Sequence, residues 1–293
     1  MRGWLGSVVL VGVVIGLVLV LYLEPGKSGP GTLPLPEPDT ITRLVVGGTD
    51  PGAEAVVLVR GLTHWRLTEP VDMPAEAEAV AALLELASAR PLARYEVGSV
   101  DLTPLRLAPP VAQARFGAVA LDYGGLTPIG DGRYVRISET VFVVPRERVR
   151  LWSDPLVNLA SRDLVPGDVR VRGFGIGDAR YRRDELGRWS AADSGEPLAG
   201  ADAERLGQAA TAWQGARARG VFRWDGALGV HDLDVLAGGA SYAFRIHLDG
   251  AQAALVRPAL GLVFFVDAVQ RARMIAPLLE LGDTAAAAER GDA

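Results

Sequence analysis

Thr140-Val141-Phe142-Val143-Val144, followed by Pro155-Leu156-Val157-Asn158-Leu159, decides the fold because the chain writes it a second time. The second version is Leu262-Val263-Phe264-Phe265-Val266, followed by Pro277-Leu278-Leu279-Glu280-Leu281. A short run of β-branched and aromatic residues reads as a buried strand, and a proline opening an apolar segment reads as a helical turn. Phe142 and Phe264 are 122 residues apart, and so are Pro155 and Pro277. Working outward, Trp65 precedes Glu69-Pro70 and Trp189, 124 residues farther on, precedes Glu196-Pro197. Each pair leads into a helix pattern, Val80, Leu83, Leu84 and Ala87 in the first half and Leu206, Ala209, Ala210 and Trp213 in the second. Both sets have the i, i+3, i+4, i+7 spacing of a helix with one buried face. Four landmarks in the same order predict an internal repeat.

Each half reads as strands, a helix, further strands and a closing helical turn. In the first, strands are expected at Ile41–Val46, Ala55–Arg60, Trp65–Leu67, Ala118–Tyr123, Arg133–Ile137 and Thr140–Val144, with Asp72 and Pro74 starting the helix. In the second they are expected at Val169–Phe174, Ala179–Arg183, Tyr242–Leu248 and Ala253–Val256, with Asp249-Gly250 as a hairpin turn. Strands interrupted by a helix and joined by short hairpins predict an α+β body of mostly antiparallel sheets. The halves divide near Ser161–Pro166, giving repeats over 41–165 and 166–282.

Ahead of the repeats, Leu5–Leu23 contains no charge. About 19 apolar residues suffice for a helix to cross a hydrocarbon core of about 30 Å. The run exceeds a signal-peptide core and ends in Leu21-Tyr22-Leu23-Glu24-Pro25, without a small-x-small cleavage site, so residues 1–23 are expected to be a retained transmembrane signal anchor. Arg2 before the run, against acids after it, favours the amino end inside and the body outside the cytoplasm. Gly12 and Gly16 have a helix-pairing spacing that is also common in single spans. Residues 24–40 carry Pro25, Pro30, Pro34, Pro36 and Pro38 among glycines and read as a tether. At about 3.1 Å per residue its reach is up to roughly 50 Å. Residues 283–293 read as a disordered tail.

The composition is that of a folded exterior domain, with 49% hydrophobic and 22% charged residues in 293. A net charge of -5 argues against nucleic acid as a partner. Lys27 is the sole lysine, and no cysteine is present, which excludes disulfides, thiolate catalysis and lipoprotein attachment. His64, His231 and His247 are the only histidines and none stands in a metalloprotease motif.

The best metal candidates are His231, Asp232, Asp234, His247 and Asp249, but a two-residue turn at Gly238-Gly239 would set position 231 opposite 246 and split the histidines between faces. Gly173-Phe174-Gly175-Ile176-Gly177 has phosphate-loop glycines yet leads into a strand pattern, which reads as a hairpin. Arg146, Arg148 and Arg150 share one face if extended, where they would meet an anionic surface, and spread around the axis if helical. Trp65 and Trp189 read as sheet packing rather than ligand stacking.

Thr63-His64-Trp65-Arg66-Leu67-Thr68-Glu69-Pro70-Val71 with Pro74-Ala75-Glu76, then Gly125-Leu126-Thr127-Pro128-Ile129-Gly130 and Arg133-Tyr134-Val135, resembles the bacterial domain-of-unknown-function family 4340. The resemblance spans most of Ile41–Ala276, and this chain has a longer proline-rich tether. It implies one amino-terminal membrane helix, an exterior α+β body and an envelope accessory role, since some members are associated with gliding-motility-type ABC transporter auxiliary proteins. It supplies no catalytic residues.

The expectation is a non-enzymatic accessory or binding protein of the bacterial inner membrane, single-pass with its body on the periplasmic side and a protein partner in the membrane or envelope. No catalytic, cofactor-binding or metal-ligating residue is assigned. The alternative is an envelope hydrolase or carbohydrate-processing enzyme using scattered carboxylates such as Asp122, Asp131 and Glu139.

Overall fold

Ala112, Ala114 and Phe116 are buried while Gln113 and Arg115 between them are exposed, the period-2 pattern of a strand with one face on a core. Such strands dominate the computed structural model, which describes residues 31–50, 52, 54–226 and 231–282. The apolar run Leu5–Leu23, Gly12, Gly16, the tether up to residue 30 and the tail 283–293 lie outside the described residues. Among the described residues no helix is long and apolar enough to cross a membrane. The architecture is mixed, two mostly antiparallel sheets with few helices, as the strand pattern predicts.

The chain divides into two compact units, Met1–Arg60 with Glu78–Ser153, and Gly61–Ala77 with Asp154–Ala293. The first contains β1 (Arg43–Val46) and β2 (Val56–Arg60); the hairpin of β3 (Trp65–Glu69) and β4 (Met73–Pro74) falls in the second unit. The first continues through helix α1 (Ala77–Leu84) and strands β5 (Ala93–Glu96), β6 (Ala112–Phe116), β7 (Val119–Leu126), β8 (Gly132–Ile137) and β9 (Thr140–Pro145). Its strands run in the order β2-β1-β6-β7-β8-β9-β5. Helix α1 buries Val80 and Leu83, and a 3-10 turn over Glu85–Ser88 continues it to bury Leu86 and Ala87. Neither Asp72 nor Pro74 starts this helix. Met73-Pro74 pairs instead with β3, and the Pro74 carbonyl accepts the Ser161 N–H at 3.0 Å, which holds the chain extended until Ala77.

The last residues of the expected tether are not free. Leu33 is buried, its N–H bonds the Ala89 carbonyl at 3.2 Å, and a 3-10 turn forms over Pro38–Thr40.

The second unit has helix α2 (Pro155–Leu159), strands β10 (Val171–Ile176), β11 (Ala179–Arg183) and β12 (Trp189–Ala191), and helix α3 (Gly200–Trp213). Strands β13 (Gly220–Arg223), β14 (His231–Ala237), β15 (Ala240–Asp249), β16 (Gln252–Arg257) and β17 (Leu262–Val266) and helix α4 (Ala268–Met274) follow. The strand order is β12-β11-β10-β14-β15-β16-β17-β13. Seven strands of this sheet, from β11 to β13, follow the same connectivity as the seven of the first unit. In both, the strand at this edge, β5 or β13, is four residues long and largely exposed, too short for a burial pattern to announce it. Asp267 caps α4 by accepting the Gln270 N–H at 2.8 Å while Gln270 returns a bond to the Asp267 N–H, a reciprocal capping box. Those backbone bonds and Arg219 hold the Asp267 carboxyl below the usual carboxylate range.

Candidate functional site

The carboxylates proposed for a hydrolytic site are spread over β7 and the two ends of β8. Asp131 ends the loop before β8 and Glu139 lies in the turn after it, so the six-residue strand separates them by about 25 Å at the usual rise. Asp122 is buried in β7 and already engaged, accepting Gln113 Nε2 at 2.7 Å and Arg136 Nε at 2.9 Å. Asp131 accepts the Thr127 hydroxyl at 2.7 Å within its own loop. The three acids do not converge.

The β14–β15 register sets His231 opposite Ile246 and Ala237 opposite Ala240, as a turn at Gly238-Gly239 requires. His231 and His247 thus point to opposite faces, and among the described residues no group of three or more metal-ligating side chains gathers. The glycine string Gly173–Gly177 lies on β10 and its turn, with Ile176 paired to Ala179, so it is a hairpin and opens no helix. Trp189 is buried and stacks on Phe174 at 5.9 Å, with the Arg183 guanidinium over its ring, whereas Trp65 is only half-buried.

The basic segment after β9 behaves differently. Arg146–Arg148 form a 3-10 turn, and Arg148 turns away to Glu85 at 3.4 Å. Arg146 and Arg150 remain, and with Arg133, Glu147, Val149 and Leu151 they line a cavity of about 330 Å3. Arg133 and Leu151 also line a second cavity of about 680 Å3, together with the polar Arg106, Thr49 and Thr103 and the apolar Pro109, Pro110 and Val111. Both cavities belong to the first unit.

The site is assembled by a flaw in the sheet. The β7–β8 register shifts between Tyr123 and Leu126, so Gly124-Gly125 bulges out of the ladder. The Gly125 N–H donates to the Leu105 carbonyl at 2.8 Å, docking the loop that carries Arg106, and the Gly124 carbonyl accepts Arg133 Nη1 at 2.6 Å. The loop is tightened by the Arg106 N–H to Thr103 carbonyl bond at 3.0 Å, and Arg106 itself adopts a left-handed φ of 55°. Arg146 is placed by its N–H donating to the Asp131 carbonyl at 3.0 Å.

Among the described residues none of Arg106, Arg133, Arg146 and Arg150 forms an ion pair, and Glu147 is the only acid on either wall. Burial pushes the Arg133 guanidinium below its ordinary range, and repulsion from Arg106 and Arg146 pushes it the same way. Burial also raises the Tyr123 phenol, against the opposing pull of Arg133, and its hydroxyl has no hydrogen-bond partner among the described residues. An anion would relieve this unpaired charge; the lining offers one acid, Glu147, where a carboxylate-driven hydrolysis uses a pair.

Only Gly124 tolerates the loop's approach, since a Cβ there would stand 2.6 Å from the Leu105 carbonyl oxygen and 2.9 Å from Leu107 Cγ. Gly124→Ala is expected to destabilise the first unit by about 2 kcal/mol through overpacking. Urea denaturation checks this, and a variant as stable as wild type would show that the loop does not rest on the bulge.

Arg146 and Arg150 were visible in the sequence as a basic alternation. Arg106 and Arg133 were not, because distant chain segments bring them together. The Gly-Gly pair inside a strand pattern is the one local signal that could have pointed to a bulge there. Comparison with protein-family models, with curated proteins and with solved structures returns no match.

Proposed function

We propose that this protein is a non-enzymatic accessory or binding protein of the bacterial envelope, anchored in the inner membrane by Leu5–Leu23 with its body on the periplasmic side. Its partner is an envelope or inner-membrane assembly, with an ABC-type transport system as the leading candidate. The observation that carries this reading is the character of the arginine-walled cavities: they are concave, cationic and almost free of acids, while Asp122, Asp131 and Glu139 lie apart. That arrangement suits recognition of a negatively charged group and offers no general acid and base pair. The anchor rests on the length and neutrality of the apolar run, and the transporter association on the resemblance to the domain-of-unknown-function family.

A duplication underlies the body in this reading, supported by the common order of seven strands in the two sheets and by the repeated landmarks. The copies differ where the cavities form. Between the edge strand and the next strand the first unit has residues 97–111 and the second has 224–230; between the paired long strands the first has 127–131 and the second 250–251. The extra chain in the first unit supplies Arg106 and, with it, Thr103 and Ala108–Val111 of the lining. Duplication leaves one copy free to keep the scaffold while the other acquires a surface.

Affinity isolation of the full chain from mildly solubilised membranes tests the proposal, with a transporter or envelope component as the expected co-purifying species. Repeated isolation without any such component would sink it.

A further inference from the structure

We infer that the joined cavities around Arg133 are a binding site for a phosphate monoester that carries an organic, partly apolar group. This deepens the accessory-protein reading and rests on it for the site's purpose, though not for its chemistry.

The charge count favours phosphate. A carboxylate brings one negative charge and satisfies one guanidinium fork, leaving the other arginines still repelling each other. A phosphate monoester brings nearly two charges and three terminal oxygens, enough to engage Arg133 together with Arg106 or Arg146 through charge-assisted bonds. Thr49 and Thr103 add hydroxyl donors on the same wall. Partial burial of Arg133 strengthens any such bond, because less water competes for it. Its Nη1 bond to the Gly124 carbonyl fixes the guanidinium plane before a ligand arrives.

The shape indicates what accompanies the phosphate. A volume of about 680 Å3 is far more than a bare oxyanion fills, and the lining that holds Arg106 and Arg133 also includes Ala108, Pro109, Pro110, Val111 and Leu151. A ligand with its phosphate on Arg133 would lay its remaining atoms along these apolar residues. Two sources share that chemistry, a soluble phosphorylated metabolite and the head of a phosphatidate-type lipid.

Titration calorimetry of the full chain with inorganic phosphate, glycerol 3-phosphate and dihexanoyl phosphatidate tests the assignment and separates the sources. Saturable binding of a phosphate monoester is expected, weaker at high salt and weakened about ten-fold or more by Arg106→Gln or Arg133→Gln. Arg172→Gln, on β10 of the second unit and in the lining of neither cavity, should leave it unchanged. Comparable affinity for the two esters points to a soluble ligand, and a marked preference for the phosphatidate points to a lipid head.

Folding is controlled by melting curves. Without ligand, Arg106→Gln should melt at or above the wild-type temperature because a like-charge repulsion is removed, whereas a fixed excess of ester raises the wild-type value by more than the variant's. Arg106→Lys keeps the charge but loses the fork and should bind with intermediate affinity. Absence of saturable binding for all three probes, or binding that survives both glutamine substitutions, overturns the site. Either result leaves membrane co-purification unaffected, so this assignment and the accessory reading fail separately.

Discussion

Trp213→Ala lowers the stability of the second unit by about 4 kcal/mol, the upper range for deletion of a large core side chain. Trp213 is completely buried at the end of α3, where its ring packs on Phe244 at 5.3 Å and its Nε1–H donates to the Met274 carbonyl at 3.0 Å. The substitution removes the ring's apolar contacts, opens a cavity and strands a buried carbonyl at the end of α4. These losses fall together because Leu206, Ala209 and Ala210 on the same helix face pack in the same core. Trp213→Phe retains most of the ring and loses chiefly the hydrogen bond, so about 1–2 kcal/mol is expected. Urea denaturation followed by near-ultraviolet circular dichroism measures both, with Gln208→Ala on the exposed face of α3 as the control. A Trp213→Ala midpoint no lower than that control would refute the packing account.

Glu76→Ala is the second large effect, at about 2–3 kcal/mol. Glu76 is buried, accepts the Arg162 N–H at 3.2 Å through one oxygen and Arg217 Nη2 at 2.7 Å through the other. Removing the carboxylate takes from the Arg162 N–H its acceptor and from Arg217 its shortest ion pair, which costs more than the pair contributes when intact. Arg217 is about half exposed and keeps Asp163 at 3.7 Å, so solvent screening reduces the penalty below that of a fully buried pair. The damage should be local first. Segment 61–77 joins the rest of its unit through the Ala75–Ala160 bridge, the Glu76 N–H to the Leu159 carbonyl at 2.8 Å and the Ser161 N–H to the Pro74 carbonyl. Amide exchange at Ala75, Glu76 and Ser161 should accelerate before global unfolding does. Glu76→Gln, which preserves an acceptor for the Arg162 N–H, should lose only about 1 kcal/mol. Unchanged exchange in Glu76→Ala would mean that the segment is held by its backbone bonds alone.

Trp213 belongs to a helix that was legible in the chain and Glu76 to a connection between elements, and neither role was legible. The Leu206, Ala209, Ala210, Trp213 spacing predicts a helix and its buried face, and α3 has both. That the indole closes onto α4 is a matter of packing between segments some 60 positions apart. Glu76 sits within the segment that sequence reading gave to a helix start, where an acid is ordinary. The structure keeps this segment extended and turns the acid inward, because backbone bonds to residues 159–161 compete successfully with an earlier helical turn.

What the amino-acid sequence determined by itself is whatever depends on near neighbours. Period-2 and period-3.6 burial define most strands and helices, Gly238-Gly239 defines a hairpin register that is realised as read, and Asp249-Gly250 marks a hairpin whose turn is Gly250-Ala251. The repeated landmarks at Phe142 and Phe264 anticipate two sheets with a common strand order. Tertiary structure alone decided where unpaired charge gathers. Arg106, Arg133 and Arg146 come from a loop, a strand and a turn, and they meet because a two-glycine bulge lets a carbonyl approach closer than any side chain would allow. Local propensity carries no information about such a meeting, since the repulsion among the arginines arises only after long-range packing has brought them within reach.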